Sequence, residues 1–78
     1  MSKLPQVSGK ETIKALRKLG FSIVQQRGSH VKLSRMLNEQ RQVVIVPLHK
    51  RLKKGTLRNG ILKPINLSVD DFVELLKK

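Results

Sequence analysis

The chain predicts an α+β fold of order α-β-β-β-α-α, in which a three-stranded antiparallel sheet carries its helices on one face. Three observations lead there. Two capping signals, Ser8-Gly9-Lys10-Glu11 and Ser68-Val69-Asp70-Asp71, each open an amphipathic stretch. Between them lie three runs of β-type residues joined by turn-forming or polar segments. Gly55-Thr56-Leu57 then starts a short helical pattern that Pro64 cuts off.

Each element follows from its residues. In the first helix Ser8 is the N-cap and Glu11 reaches back to its amide, while Ile13 and Leu16, with Ala15 and Leu19, recur at helical spacing. Lys10, Lys14, Arg17 and Lys18 fall on the outside, and Gly20 stands where a glycine ends a helix. Phe21 begins the first strand, and Arg27-Gly28-Ser29 turns the chain. The second strand runs from His30 to about Met36, Leu37 to Gln40 form a polar connection, and Arg41 to Val46 make a third strand. Pro47 cannot donate to a ladder and marks that strand's end. A basic loop from Leu48 to Lys54 leads into the second helix, whose apolar contacts are Leu57, Ile61 and Leu62. The last helix buries Val69, Phe72, Val73, Leu75 and Leu76, and Lys77 and Lys78 suit its C-terminal dipole.

Composition narrows the function. The 78 residues are read as one domain over 1–78, too small to enclose a site between two lobes. With 17 Lys+Arg against 5 Asp+Glu the formal net charge is +12, which points to a polyanionic partner, nucleic acid or an acidic protein. Cysteine is absent, so neither disulfides nor thiolate metal sites brace the fold. No apolar run approaches the roughly 20 residues that span a bilayer. The N-terminal Met1-Ser2-Lys3-Leu4-Pro5 lacks a signal peptide's apolar segment, so a cytoplasmic protein without membrane attachment is expected.

Strand alternation puts Val31 and Leu33 on one face of the second strand and His30, Lys32 and Ser34 on the other. His30 therefore belongs to the sheet face turned away from the core. The few acids, Glu11, Glu39, Asp70, Asp71 and Glu74, do not suggest a converging ligand set, and no phosphate-loop or dinucleotide fingerprint is present. No metal or cofactor is expected. Histidine is the side chain whose unperturbed pKa, about 6.5, suits proton transfer near neutrality. RNA needs little more than this, because its 2′-hydroxyl is a built-in nucleophile and fixed cations can stabilise the charge that builds on phosphorus. A surface histidine without a role is the competing reading of His30. Ser29 is a turn residue before it is an accessory group, and His49 is a loop residue before it is a second catalytic one.

The strongest electrostatic signal is the stretch from Gln40 to Val69, which holds seven Lys/Arg and no acid. Lys50, Arg51, Lys53, Lys54 and Arg58 gather at the start of the second helix, where backbone amides near Gly55 and neighbouring lysines suit phosphate. A solvated charge run is the plainer alternative. There is no Trp or Tyr and only two Phe, so base stacking is not expected to carry recognition.

A set of segments in this order resembles the HicA-type toxins of bacterial and archaeal toxin–antitoxin systems, also described as the YcfA/HicA-like family. They are Ser8-Gly9-Lys10-Glu11, Leu19-Gly20-Phe21, Arg27-Gly28-Ser29-His30, Val46-Pro47-Leu48-His49, Leu52-Lys53-Lys54-Gly55-Thr56-Leu57 and Leu67-Ser68. The resemblance covers nearly the whole chain. It implies a fold similar to the double-stranded-RNA-binding domain, ribosome-independent cleavage of mRNA, and inhibition by a HicB-type antitoxin protein. The family's catalytic histidine lies in a Gly-Ser-His motif that maps onto His30, and Pro47 with His49 matches its Pro-x-His pattern. One departure is the segment Arg58 to Leu67, which is one residue longer than usual and interrupted by Gly60 and Pro64. Both should shorten or distort the second helix. In this reading His30 transfers the proton, Arg27, Lys32 and the basic loop hold phosphate, and Ser29 and His49 are accessory. A non-catalytic basic module for RNA or DNA, or one that only binds an acidic protein, would share the charge but not the need for His30.

Overall fold

In the computed structural model, which describes residues 3–78, Ser8 caps helix α1 (Gly9–Lys18). Its side-chain oxygen accepts the Glu11 amide at 3.1 Å, and the Glu11 carboxylate accepts the Ser8 amide at 3.0 Å. The capping box is therefore closed. Met1 and Ser2 of the N-terminal stretch lie outside the described residues.

Three antiparallel strands follow in the spatial order β1-β2-β3, as β1 (Ser22–Arg27), β2 (His30–Leu37) and β3 (Gln40–Pro47). The connections are shorter than the sequence suggests. Gly28-Ser29 alone joins β1 to β2, so Arg27 is the last residue of β1 and not a turn residue. Asn38-Glu39 alone joins β2 to β3, and Leu37 and Gln40 pair as strand residues. Asn38 and Glu39 have φ values of 51° and 66°, the mirror-image backbone whose twist matches that of a tight hairpin. Phe21 lies just before β1 and is buried, with the Arg35 guanidinium 4.8 Å from its ring centroid.

Alternation divides the sheet as expected. Val31 and Leu33 on β2 and Val44 and Val46 on β3 are buried in one cluster with Leu16, Leu57, Ile61 and Phe72 from the helical side. Lys32, Ser34, Val43 and Ile45 are on the opposite face, which the described residues leave uncovered. The result is an α+β arrangement like that of a double-stranded-RNA-binding domain.

The second helix departs from regular α geometry. After only two α-helical residues, Lys54 and Gly55, the chain widens into a π-helix over Thr56–Leu62 and then tightens into a 3₁₀ turn over Lys63–Ile65. The Lys63 amide donates to the Arg58 carbonyl, five residues back. Pro64, in the first positions of the 3₁₀ turn, has no N–H to continue a ladder. The distortion expected from Gly60 and Pro64 thus takes the form of a change of winding. Leu57, Ile61 and Leu62 remain buried because the wider turn keeps them on one side. Helix α2 (Val69–Lys77) is capped by Ser68, whose oxygen accepts the Asp71 amide at 3.1 Å. Only Phe72 and Leu75 of its apolar stripe are buried, and Val69, Val73 and Leu76 are half-buried. No helix among the described residues is long and apolar enough to cross a membrane.

Three side chains on the helical side tie the elements together. Arg35 donates to the Leu19 carbonyl at 2.9 Å and to Gln42 Oε1 at 2.7 Å, and Gln42 Nε2 donates to the Ile65 carbonyl at 3.4 Å. Lys18 donates to the Leu75 carbonyl at 2.8 Å and to that of Lys78, placing a cation at the C-terminus of α2.

The tightest approach is between the start of α1 and the chain leaving β3. The Gly9 amide donates to the His49 carbonyl at 2.9 Å, and the Leu52 amide donates to Val7 at 2.8 Å. A Cβ on Gly9 would stand 2.0 Å from the Pro47 carbonyl oxygen and 2.9 Å from Leu48 Cα. These are backbone atoms, so no side chain can yield. Gly9→Ala should therefore destabilise the fold by about 3 kcal/mol or more in urea unfolding. Gly60, with nothing within 4 Å of an added Cβ, provides the contrast. Gly60→Ala should stabilise by about 0.5–1 kcal/mol through backbone entropy.

Candidate active site on the open sheet face

The hairpin that holds His30 is set by its two-residue turn. Gly28 takes φ +54° at the first turn position, a conformation that costs a side-chain-bearing residue roughly 1–2 kcal/mol. The turn makes Arg27 and His30 direct cross-strand partners and puts Gln25 opposite Lys32. Opposed residues share a face, so the two-residue period of β2 and the register with β1 bring Arg27, His30 and Lys32 together. They line a shallow depression of about 220 Å³ whose remaining walls are Gln25 and Ile45. Ile45 pairs with Lys32 across β2 and β3 and is 52% exposed.

The depression is electrostatically one-sided. Arg27 and Lys32 supply two cations, no acidic side chain lines it, and no ion pair engages either cation among the described residues. Arg27 and His30 are exposed and Lys32 is half-buried. The imidazole is open to an incoming group, with guanidinium and ammonium beside it. That combination can accept or donate a proton next to a bound oxyanion. Among the described residues, no group of three or more His, Asp or Glu side chains comes together that could hold a metal ion.

The other residues singled out in the sequence are placed differently. Ser29 and His49 contribute through the main chain. The Ser29 carbonyl accepts the Leu48 amide at 2.6 Å, and the His49 carbonyl accepts the Gly9 amide. Neither side chain lines the depression. Lys50, Arg51, Lys53, Lys54 and Gly55 follow along the loop, all exposed and none on its wall. The loop is nevertheless tethered to the hairpin, because Pro47 pairs with His30 and Leu48 is bonded to Ser29. Its first helical turn is brief, so its cationic side chains are the clearer means of holding phosphate.

Gln25 and Ile45 were not evident from sequence. Counting back from a two-residue turn would have found Gln25, since Arg27 opposite His30 puts Gln25 opposite Lys32. Ile45 required the register of β3, which depends on the equally short Asn38-Glu39 turn.

Comparison with known proteins identifies the family. A family model described as the HicA toxin of bacterial toxin–antitoxin systems matches residues 9–67, from the first residue of α1 to the segment before α2. No curated protein and no solved structure gave a significant match. The matched span contains the Gly-Ser-His hairpin, the Pro-x-His crossing and the basic loop, and family membership implies an antitoxin as partner. The chain belongs to the HicA toxin family of bacterial toxin–antitoxin systems.

Proposed function

We propose that this toxin is a metal-independent RNA endonuclease acting on mRNA in the cytoplasm, and that a HicB-type antitoxin restrains it. The observation that supports this most directly is the convergence of His30, Arg27 and Lys32 on one exposed depression. A phosphodiester lies across the depression with Arg27 and Lys32 against its non-bridging oxygens. His30 accepts the proton of the adjacent 2′-hydroxyl. The 2′ oxygen bonds to phosphorus, the bond to the 5′ oxygen breaks, and that oxygen takes a proton from water. The products are a 2′,3′-cyclic phosphate and a 5′-hydroxyl. Proton transfer by a positioned side chain contributes roughly 10²–10⁴-fold, and the cations stabilise charge that grows on the phosphoryl oxygens.

Lys50, Arg51, Lys53 and Lys54 extend the positive surface beyond the depression and hold neighbouring phosphates of the strand, with the Gly55 backbone at the end of that run. Such contacts position a polyanion without reading its sequence. Ser29 and His49 support the site by fixing where the hairpin and loop meet.

Purified protein should cleave RNA in EDTA and leave 2′,3′-cyclic phosphate ends, detectable by phosphatase resistance and mass spectrometry. His30→Ala should retain the melting temperature yet lower the cleavage rate by about 10²–10⁴-fold. A folded His30→Ala protein that cleaves as fast as the parent would overturn the assignment and leave a basic binding module. Replacing Lys53 and Lys54 together by Ala should weaken RNA binding across sequences. The slope of log K against log salt should fall by about 1.4, given roughly 0.7 per single-strand phosphate contact.

A further inference from the structure

A second concavity lies on the other side of the sheet, between α1 and β1. It has a volume of about 690 Å³ and shares no lining residue with the His30 depression. Its origin is a β-bulge. From the turn, Arg27, Gln26 and Gln25 pair regularly with His30, Val31 and Lys32, but the next partner of β2, Leu33, faces Ile23 and not Val24. The extra residue turns Ile23 toward the helical side. No helix covers it there, and Ile23 remains 46% exposed.

The groove has an apolar floor and a cationic rim. Ile13 from α1, Ile23 from β1, Val31 from β2 and Leu48 from the loop make the floor. Lys10, Lys14 and Arg17 stand above it at helical spacing, over about 10 Å of α1. Lys18 also borders the groove, but its ammonium is committed to the α2 carbonyls. A strand of nucleic acid would satisfy the rim and waste the floor, since no aromatic ring in the groove offers a stacking surface. A protein segment with aliphatic side chains on one face and carboxylates beside them satisfies both.

We propose that the α1–β1 groove is a docking site for an acidic amphipathic helix of a partner protein. Carboxylates at one-turn intervals meet Lys10, Lys14 and Arg17, and aliphatic side chains cover Ile23 and Ile13. The helix continues the layer begun by α1 and α2 over the part of the sheet they leave bare. The site is independent of the nuclease assignment, because His30 and its neighbouring cations face the opposite side.

The test is a titration of the full-length, isotope-labelled chain followed by amide chemical shifts. The probe is a synthetic 18-residue helical peptide with Leu on one face and Glu flanking it. Controls are a scrambled peptide of the same composition and a 12-nucleotide RNA with non-cleavable 2′-O-methyl riboses. The helical peptide should shift Ile13, Arg17, Ile23 and Gln26 saturably and leave Arg27, His30 and Lys32 unmoved. Lys14→Glu with Arg17→Glu, and separately Ile23→Asp, should each raise its Kd at least about tenfold, while His30→Ala should not. Absence of saturable shifts up to about 1 mM peptide would overturn the proposal. So would equal binding of the scrambled peptide, shifts confined to the His30 face, or occupation of the groove by the RNA.

Discussion

The crossing of α1 over the chain that leaves β3 is the constraint on which the rest of the structure depends. Gly9, at the first residue of the helix, touches the Pro47 carbonyl so closely that even a methyl group has no room. Its amide holds His49, the neighbouring Val7 carbonyl holds Leu52, and the Ser29 carbonyl holds Leu48. Three backbone hydrogen bonds therefore bring the start of α1, the β1–β2 turn and the basic loop to one point. Gly9 and Leu52 are buried, and an amide satisfied in this way avoids a desolvation penalty of roughly 1–3 kcal/mol. Local propensity could make the helix and the hairpin separately, but only this junction relates one to the other.

From that junction the arrangement of the site follows. The sheet uses one face to bury Val31, Leu33, Val44 and Val46 against the helices, and this leaves the other face free. His30 stands at the end of β2 nearest the junction, paired on one side with Arg27 and on the other with Pro47. A side chain on a strand is held more firmly than one on a long loop, because ladder hydrogen bonds limit its backbone on both sides. The basic loop carries exposed cationic side chains beyond a start that is fixed to the hairpin.

The same bookkeeping of faces explains the groove. Helices α1 and α2 are joined by Lys18, and α1 is joined to β2 through Arg35 and the Leu19 carbonyl. Neither tie engages β1. The edge strand is left with its six residues exposed, and the bulge at Val24 turns Ile23 into the space between. Net charge spreads over both surfaces, but the chemistry differs: an imidazole between cations on one face, an aliphatic floor beneath cations on the other.

Much of this was legible in the sequence. The two-residue period of β2 is enough to separate His30 and Lys32 from Val31 and Leu33, and the capping residues Ser8 and Ser68 mark both helices at their observed starts. Pro64 and Gly60 announce a disturbed second helix. What sequence alone left open depends on atoms distant along the chain. The bulge at Val24 arises where β1 must satisfy both the turn and the core, and the π winding lets Leu57, Ile61 and Leu62 stay buried ahead of Pro64. Gly9 reads as an ordinary member of a capping box until Pro47 is found against it. Period and capping are local properties, written within a few residues of where they act. Register at a bulge, helix winding and close backbone approach are settled by packing between segments, so only the tertiary structure decided them.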